Sequence, residues 1–490
     1  MNRTTDVVVI GGGPAGSTAG ALLAMQGLRV TVLERDRFPR EHVGESLLPY
    51  CYPIFERLGV LGELEARFVR KPGVRFVDVD GSTHTTWCFG HVIKDPSYLS
   101  FHVLRGEFDE VLLHNAARHG AAVSEGTRVT SVDLEGAFPL VEVRATGPRG
   151  AERRYRTRFL IDASGRDTFL ANRMKTKRAH PDLNRAALST HWSGAKYTGG
   201  IEQGLLQIVY LGGRKQGWIW AIPVGTDRVS VGVVLNHGYV RARKDALRAA
   251  GSGDWAMDLF RQELFSSPYI AEVLADARPI MPLMVNGDYS YAVTRKYGPN
   301  FAVVGDASAF IDPIFASGVF LSMNSSRLVA GAVGAKLGSN GGSDGAMAAA
   351  YASIDGAYAL VDRAIRMFYN PVAINFAQVG SIARLIHKRH ENAMAIGHYL
   401  LAGDFFEQHE RYDRFLTLLQ DPEMHRLYRP YVIERAEYRT SSCGFDPFGD
   451  FNPAMAEHER RRARALRIHA RSVRVPSEPG GNAHAAVQPR

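Results

Sequence analysis

The stretch DVVVIGGGPAG, residues 6–16, decides the fold class of this chain. Its first half is a run of β-branched residues that predicts a buried strand, and the glycine-rich turn behind it leads into a helical segment rich in alanine and leucine. A second apolar run, residues 29–34, predicts another strand. The N-terminal segment is therefore interpreted as a β-α-β unit, which is typical of an α/β fold with a parallel sheet.

The glycines of this turn follow the spacing G-x-G-x-x-G, which predicts a dinucleotide site. The first glycine allows the tight turn, the second lets the backbone approach a pyrophosphate, and the third lets the helix pack closely on the strand. The acidic residue that ends the second strand is placed to accept hydrogen bonds from a ribose diol. The predicted nucleotide-binding residues are Gly11, Gly13, Pro14, Ala15, Gly16 and Glu34.

The composition disfavours several classes of protein. Hydrophobic residues make up 45% of the 490 residues and charged residues 22%, as in globular proteins and unlike disordered or coiled-coil chains. No apolar run reaches the length of about 18 residues that a membrane span needs, and the N-terminus lacks the apolar core of a signal peptide. No CxxC pair is present, so no metal site is predicted. We therefore expect a cytoplasmic protein that does not bind a membrane.

The order of the predicted elements indicates discontinuous domains. Strand patterns at 205–211, 217–224 and 228–235 predict consecutive antiparallel strands inside the α/β framework. The chain is thus predicted to comprise a nucleotide-binding domain (1–75, 100–185 and 286–330), an inserted, mostly antiparallel β-sheet domain for the substrate (76–99 and 186–285), a helical C-terminal domain (331–475) and a disordered tail (476–490).

The net charge of +9 has its main source near the C-terminus. Residues 460–474 contain seven arginines and no acidic residue. This segment is either a solvated terminal helix or a docking surface for an acidic partner. Nucleic acid is not the expected partner, because no aromatic stacking pattern accompanies the arginines.

Three further segments narrow the nucleotide to FAD. A helix is predicted to begin near Arg105, one strand ends at Asp162, and a later strand ends at Gly305 and Asp306. Together with the glycine turn, these segments resemble the flavoprotein monooxygenase fold of the hydroxybenzoate-hydroxylase type, in which a Rossmann-like domain of the glutathione-reductase type binds FAD. The resemblance implies that these four residues contribute to the FAD site.

The segment GWIWAIP, residues 217–223, matches the W-x-W-x-I-P signature of the flavin-dependent halogenases, a branch of this fold. Two tryptophans at positions i and i+2 of a strand, Trp218 and Trp220, point to the same face, as core residues often do. The resemblance implies that they and Pro223 stand between the flavin and the substrate. Such a barrier would block direct oxygen transfer and let only a small oxidant pass.

The segment GESLLP, residues 44–49, is followed by a lysine in the sequence FVRKPGVRF. This arrangement resembles the halogenase G-E-S-x-x-P element and the catalytic lysine downstream of it. The resemblance implies that Glu45 and Ser46 belong to the flavin site and that Lys71 is the catalytic residue. The apolar residues around Lys71 predict a partly buried amine, which can hydrogen-bond hypochlorous acid or react with it to form a chloramine.

Residues 310–318, FIDPIFASG, resemble the halide-binding element of the same family. Backbone amides beside a glycine suit a small anion, and the resemblance implies that Ser317 and Gly318 bind chloride. The alternative is a plain turn at the start of a helix. Tryptophan halogenases carry a glutamate where this chain has Phe315, which favours a phenol, such as a tyrosine-like unit, over an indole.

The resemblance implies a complete reaction. Reduced FAD and oxygen convert chloride into hypochlorous acid, which passes the tryptophans to Lys71 and chlorinates an electron-rich aromatic in antibiotic biosynthesis. The acceptor is a small phenol, either free or tethered to an acidic acyl or peptidyl carrier protein. Because no second glycine-rich β-α-β unit is present, a separate flavin reductase is expected to supply reduced FAD.

Two alternatives share the nucleotide motifs. One is a flavin-dependent aromatic hydroxylase, and the other is a saturase that resembles geranylgeranyl reductase; the tryptophans and Lys71 argue for the halogenase. A separate hypothesis concerns Asp288, which precedes the last predicted strand of the FAD domain. This carboxylate is either the point of covalent attachment to a flavin methyl group or part of a surface turn.

Overall fold

Two large β-sheets, one of seven strands and one of eight, organise the part of the chain that the structure describes. The computed structural model describes residues 2–416 except 94, 136–140, 148–149, 197–203, 213–214, 288–289, 339–344, 371–375, 377–396, 411 and 414–415. Asp288, the arginine-rich segment 460–474 and the tail 476–490 therefore lie outside the described residues.

The strands are short except for a few central ones. In chain order they are β1 (Asn2–Ile10), β2 (Val30–Leu33), β3 (Val69–Lys71), β4 (Gly73–Val77), β5 (His84–Cys88), β6 (Ser100–His102), β7 (Ala122–Ser124), β8 (Arg128–Asp133), β9 (Val141–Thr146), β10 (Glu152–Asp162), β11 (Lys177–Ala179), β12 (Arg185–Ser193), β13 (Leu206–Leu211), β14 (Gly217–Gly225), β15 (Arg228–Asn236), β16 (Arg278–Pro279), β17 (Met284–Gly287), β18 (Tyr291–Val293), β19 (Phe301–Val303) and β20 (Ala309–Phe310).

Among the described residues, the longest helices follow the last strands. In chain order the helices are α1 (Pro14–Ala24), α2 (Tyr52–Leu58), α3 (Leu61–Arg67), α4 (Arg105–Arg118), α5 (Phe169–Met174), α6 (His237–Ala249), α7 (Trp255–Phe265), α8 (Pro268–Val273), α9 (Gly318–Leu337) and α10 (Gly345–Phe368).

The seven-stranded sheet contains the predicted β-α-β unit. β1 pairs in parallel with β2 on one side and with β10 on the other, and β10 also pairs in parallel with β19. Because parallel strands end at the same edge, the segments after Ile10, Leu33, Asp162 and Val303 meet there. Helix α1 packs against α4 and α9.

The eight-stranded sheet contains the antiparallel strands predicted for the insertion. β12, β15, β14 and β13 are neighbours in that order, and β4 and β5 extend the sheet beyond β13. The insertion is not β-structure alone, because α6, α7 and α8 follow β15 and pack their apolar side chains into one core with this sheet. Each of these helices begins at a capping side chain that accepts backbone N–H groups: Asn236, Asp254 and Ser267.

Among the described residues, no helix is both long enough and apolar enough to cross a membrane.

Candidate active site

The glycine turn after β1 has the conformation that the dinucleotide motif requires. Gly11 has φ +97°, and a Cβ atom there would lie 2.4 Å from the carbonyl oxygen of Ala163. A Cβ atom on Gly16 would lie 1.9 Å from the carbonyl oxygen of Gly11. Both positions therefore exclude any side chain, and the N-terminus of α1 with its free N–H groups faces the space beside the turn.

Glu34 follows β2 and connects the turn to the predicted ribose site. Its side chain is 5% exposed, and its two carboxylate oxygens accept hydrogen bonds from the N–H groups of Gly12 at 2.6 Å and Asp36 at 2.8 Å. An ionised carboxylate has further acceptor capacity, which leaves it able to bind a ribose diol.

Arg105 is the first residue of α4 and is held in place from two directions. Its Nε and one terminal nitrogen donate to the carboxylate of Asp109 at 2.9 and 3.1 Å, in the bidentate geometry that arginine favours. The other terminal nitrogen donates to the carbonyl oxygens of Val43 and Gly44 at 2.6 and 3.3 Å. The guanidinium group therefore fixes the segment before Glu45.

The last predicted flavin residues lie at the end of β10 and just after β19. Gly305 has φ +60°, and a Cβ atom there would lie 2.9 Å from Ala15 and from Ser322. Burial raises the pKa of the neighbouring Asp306 to about 6. Asp162 is fully buried, and its carboxylate accepts hydrogen bonds from the N–H groups of Ser164 and Leu170 at 3.0 and 2.7 Å. It therefore stabilises the segment that follows β10.

These elements surround one cavity of about 480 Å³, a volume in the range of ligand-binding cavities of roughly 300–1,000 Å³. Of the predicted cofactor residues, those that line it are Gly11, Gly13, Pro14, Ala15, Glu34, Glu45, Ser46, Arg105 and Asp306, whereas Gly16, Asp162 and Gly305 lie outside the lining. The side-chain-free turn, a helix N-terminus, a carboxylate at the ribose position and a buried guanidinium fit the phosphates and sugar of FAD.

The two tryptophans line the same cavity. Trp218 and Trp220 lie side by side on one face of β14, with ring centroids 5.6 Å apart and exposed fractions of 3% and 4%. Pro223 lies outside the lining, where a bulge interrupts the pairing of β14 with β15. Gly232 on β15 provides the space for one ring, since a Cβ atom there would lie 2.2 Å from Trp220.

Lys71 ends β3 and lies outside the lining of this cavity. Its side chain is 1% exposed, its Nζ donates to the carbonyl oxygen of Leu47 at 2.9 Å, and the ring of Phe89 lies 5.3 Å away. Burial lowers the pKa of Lys71 to about 7, against an ordinary value of 10.5. A substantial fraction of this amine is therefore neutral, and thus nucleophilic, near neutral pH.

The predicted halide residues form the start of α9. Ser317 precedes the helix and is 1% exposed, whereas Gly318 lines the cavity, and a Cβ atom on it would meet only open space. Ala316, just before them, has φ +53°, which turns the chain into the helix. The first N–H groups of a helix lack partners within the helix and carry its positive dipole end, an arrangement that suits a small anion.

Comparisons with known proteins agree with this geometry. A family model described as an FAD binding domain matches residues 4–345. The chain is 35% identical over 336 residues to the tryptophan 2-halogenase of Chondromyces crocatus, a match that covers 68% of this chain and 62% of that protein. It is 30% identical to the 1H-pyrrole-2-carbonyl (peptidyl-carrier protein) chlorinase of Pseudomonas fluorescens, over 66% of this chain and 75% of that protein.

Among solved structures, the myxobacterial chondrochloren halogenase CndH superposes with a TM-score of 0.64 and 31% identity, covering 76% of this chain and 82% of that chain. The chain belongs to the flavin-dependent halogenases. Both the family and its FAD-binding fold agree with the sequence-based expectation. The halogenase nevertheless spans less than two thirds of the length of the tryptophan 2-halogenase.

Two polar contacts of this halogenase were not predicted from the sequence. Glu45, in the cavity wall, accepts a hydrogen bond from Nε2 of His191 at 2.7 Å, and Arg228 donates to Nδ1 of the same ring at 2.7 Å. Both Glu45 and His191 are buried, and their contact joins the segment around Glu45, which lines the cavity, to β12 of the eight-stranded sheet. No sequence motif marks His191, because it lies on β12, far along the chain from Glu45, and the two residues meet only in the folded protein.

The second contact fixes the side chain of Trp218. Nε1 of Trp218 donates to the hydroxyl of Tyr369 at 2.9 Å, and that hydroxyl donates to the carboxylate of Asp312 at 2.8 Å. Burial raises the pKa of Asp312 to about 6. The aspartate lies in the predicted halide element, so this chain of hydrogen bonds links the element to the tryptophans.

Proposed function

We propose that this halogenase chlorinates an electron-rich aromatic, with hypochlorous acid as the mobile oxidant and Lys71 as the residue that directs it. The observation that carries the proposal is the position of Lys71. Its amine is buried, has a pKa of about 7, and lies outside the lining of the cavity that fits FAD. A reactive amine separated from the flavin suits a reaction in which only a small oxidant moves between them.

The flavin side of the reaction depends on the residues around the cavity. When bound, reduced FAD supplies the electrons with which oxygen converts chloride into an electrophilic chlorine species. The N-terminus of α9 at Ser317 and Gly318 would hold chloride through backbone N–H groups. Trp218 and Trp220 would exclude the organic acceptor and bulk water from this space, which protects the oxidant from side reactions.

Lys71 can act in either of two ways. In its protonated form the ammonium group donates hydrogen bonds to hypochlorous acid and orients it. In its neutral form the amine attacks chlorine, so that an N–Cl bond forms, the Cl–O bond breaks and water leaves with the amine proton. Because the pKa of Lys71 is near 7, both forms are populated at neutral pH.

The proposed acceptor is a phenol, either free or carried by an acidic carrier protein. Phe315 contacts Phe368 and Phe376 edge-on at centroid distances of 6.3 and 6.0 Å, so that it is part of an aromatic cluster and offers no hydrogen bond to an indole N–H. Two observations support an acceptor tethered to a carrier protein. One is the similarity to a chlorinase whose name specifies a carrier-bound pyrrole, and the other is the arginine-rich segment 460–474. A separate reductase and a cytoplasmic location complete the proposal.

The test supplies the purified protein with reduced FAD, oxygen and chloride. Candidate phenols, free and attached to a carrier protein, are analysed by mass spectrometry after one turnover. A product heavier by the exchange of hydrogen for chlorine supports the proposal, and omission of chloride should remove it. An oxygenated product without chlorine would instead indicate a hydroxylase.

A further inference from the structure

A buried arginine lies beside the part of the cavity wall that Trp218 and Trp220 form. Arg185 is the first residue of β12 and is 4% exposed. Arg185 and Ala187 are two residues apart on this strand and so share a face, and Ala187 lines the cavity. Ala187 and Trp218 both lie opposite Val234 of β15, which places them on the same face. Arg185 therefore lies on the face of the tryptophans, just beyond the cavity lining.

The guanidinium group of Arg185 makes few hydrogen bonds for a buried charge. Its one hydrogen bond among the described residues runs from Nη1 to the carbonyl oxygen of Asn184 at 3.2 Å, and its Nε has no partner there. No ion pair joins it to a carboxylate of these residues. A buried charge with so little compensation needs another source of stabilisation.

The ring of Tyr369, which follows α10, provides that stabilisation. The guanidinium carbon of Arg185 lies 4.3 Å from the centroid of this ring, a distance typical of a cation–π contact. The hydroxyl of the same tyrosine donates to the carboxylate of Asp312 at 2.8 Å, and Asp312 is fully buried. Tyr369 therefore lies between a buried positive charge and a buried negative charge, and both favour the same position of its ring.

These two charges also strengthen the hold on Trp218. Nε1 of Trp218 donates to the hydroxyl of Tyr369 at 2.9 Å, and this hydroxyl donates onward to Asp312. Hydrogen bonds in such a chain polarise one another, so that each strengthens the next. An indole N–H can only donate and an ionised carboxylate can only accept, so the direction of the chain is fixed.

Trp220 is held in a different way. Its Nε1 donates to the hydroxyl of Ser230 at 3.2 Å, and Ser230 lies on β15, the neighbouring strand. Both partners of this bond belong to the eight-stranded sheet, whereas the partner of Trp218 follows a helix near the end of the described residues. The position of the Trp218 indole therefore depends on how Tyr369 is held against the sheet.

We propose that Arg185 and Tyr369 are positioning residues for halogenation: the stacked pair holds the Trp218 indole in the wall of the flavin cavity. The inference rests on the proposed function, in which this indole excludes the organic acceptor and bulk water from the flavin side. An indole released from Tyr369 would admit water, and the oxidant would be lost before it halogenates the acceptor.

The first test needs no turnover. Tyr369→Phe removes only the hydroxyl and keeps the ring beside Arg185, and it should change the tryptophan bands in the near-ultraviolet circular dichroism of the protein with FAD bound. The same substitution made together with Trp218→Phe should cause no such change, because the indole that it releases is absent. Tyr239→Phe is the matched control, since Tyr239 on α6 also donates to a carboxylate, that of Glu263 at 2.7 Å, but does not line the cavity. Any change that the control causes should be the same with and without Trp218.

The second test measures halogenated product formed per reduced FAD consumed. Loss of the hydrogen bond to Trp218 predicts a fall of at least about fivefold in this ratio for Tyr369→Phe. Arg185→Met, which removes the charge, should lower it at least about twofold, whereas Arg185→Lys, which keeps a cation, should lie closer to wild type. A variant that only folds less well loses product and flavin consumption together and keeps its ratio.

The outcomes separate the positioning from the function. If wild type forms halogenated product and Tyr369→Phe keeps the ratio of Tyr239→Phe, the positioning proposal is wrong and the proposed function stands. A ratio for Arg185→Met equal to that of wild type would overturn the role of Arg185. If wild type forms no halogenated product from any electron-rich aromatic, the proposed function is overturned, and the circular dichroism comparison still decides whether Tyr369 holds Trp218.

Discussion

Replacing Lys71 with methionine is expected to stabilise the folded protein while it removes the amine. The unfolded chain holds a proton on Lys71 up to the ordinary pKa of 10.5, whereas burial lowers the pKa of the folded state to about 7. At about pH 7 this difference destabilises the folded wild type by about 4 kcal/mol. The lost hydrogen bond to Leu47 offsets about 1 kcal/mol, so the net gain is about 3 kcal/mol.

The pH dependence of this gain identifies its cause. Since the folded pKa of Lys71 is lowered, the unfolded state binds more protons between the two pKa values, and the stability of wild type rises with pH in that window. Between about pH 7 and about pH 9 the gap between wild type and Lys71→Met should therefore shrink by about 2 kcal/mol.

Urea unfolding followed by tryptophan fluorescence at both pH values measures this gap. Lys196→Met is the control, because the side chain of Lys196 is 57% exposed and its contact with Asp276 raises its pKa. The control should show no gap that shrinks with pH. Equal free energies of unfolding for wild type and Lys71→Met at both pH values, or a less stable variant at neutral pH, would refute the account of a buried, near-neutral amine.

Three further changes test the cavity and its walls. Glu34→Ala should weaken FAD binding at least about tenfold in a fluorescence titration, with Glu34→Gln in between, and an unchanged Kd would count against the ribose assignment. Gly232→Ala should lower the free energy of unfolding by about 1–3 kcal/mol, because its methyl group meets the Trp220 ring. Gly225→Ala is the control: the nearest neighbour of its Cβ atom is 3.4 Å away, so the free energy of unfolding should change little. Similar urea midpoints for the two variants would contradict this expectation. Asp312→Asn should be up to about 3 kcal/mol more stable than wild type near pH 7 and equally stable near pH 4. The reason is that burial, which raises the pKa of Asp312 to about 6, disfavours only the ionised carboxylate of the folded wild type. A stability difference that does not depend on pH would refute this cause.

Local motifs explain what the sequence predicted well. Gly11, Gly16 and Glu34 lie within one β-α-β unit, so their spacing already contains the geometry of the turn and the second strand. Trp218 and Trp220 share a face because they alternate along a single strand. The apolar neighbours of Lys71 predicted a partly buried amine, and the structure buries it almost completely.

Contacts between distant segments explain what the sequence did not predict. His191 contacts Glu45 only after the two sheets have assembled, and Tyr369, which follows α10, contacts Trp218 only after α10 has packed against the second sheet. The sequence analysis identified only strands in the insertion, and the helices α6, α7 and α8 that follow β15 were not predicted. The division of the chain into four parts stays a prediction, as does every function assigned to residues beyond 416.

We expect flavin oxidation and halogen transfer to occur at separate places, joined only by a small oxidant that Lys71 receives. A single-turnover reaction of wild type and Lys71→Met with reduced FAD, oxygen, chloride and a phenol that wild type chlorinates tests this separation. Both proteins should oxidise reduced FAD at the same rate, and only wild type should form the chlorinated phenol. Chlorinated product from Lys71→Met at the wild-type yield would contradict this expectation.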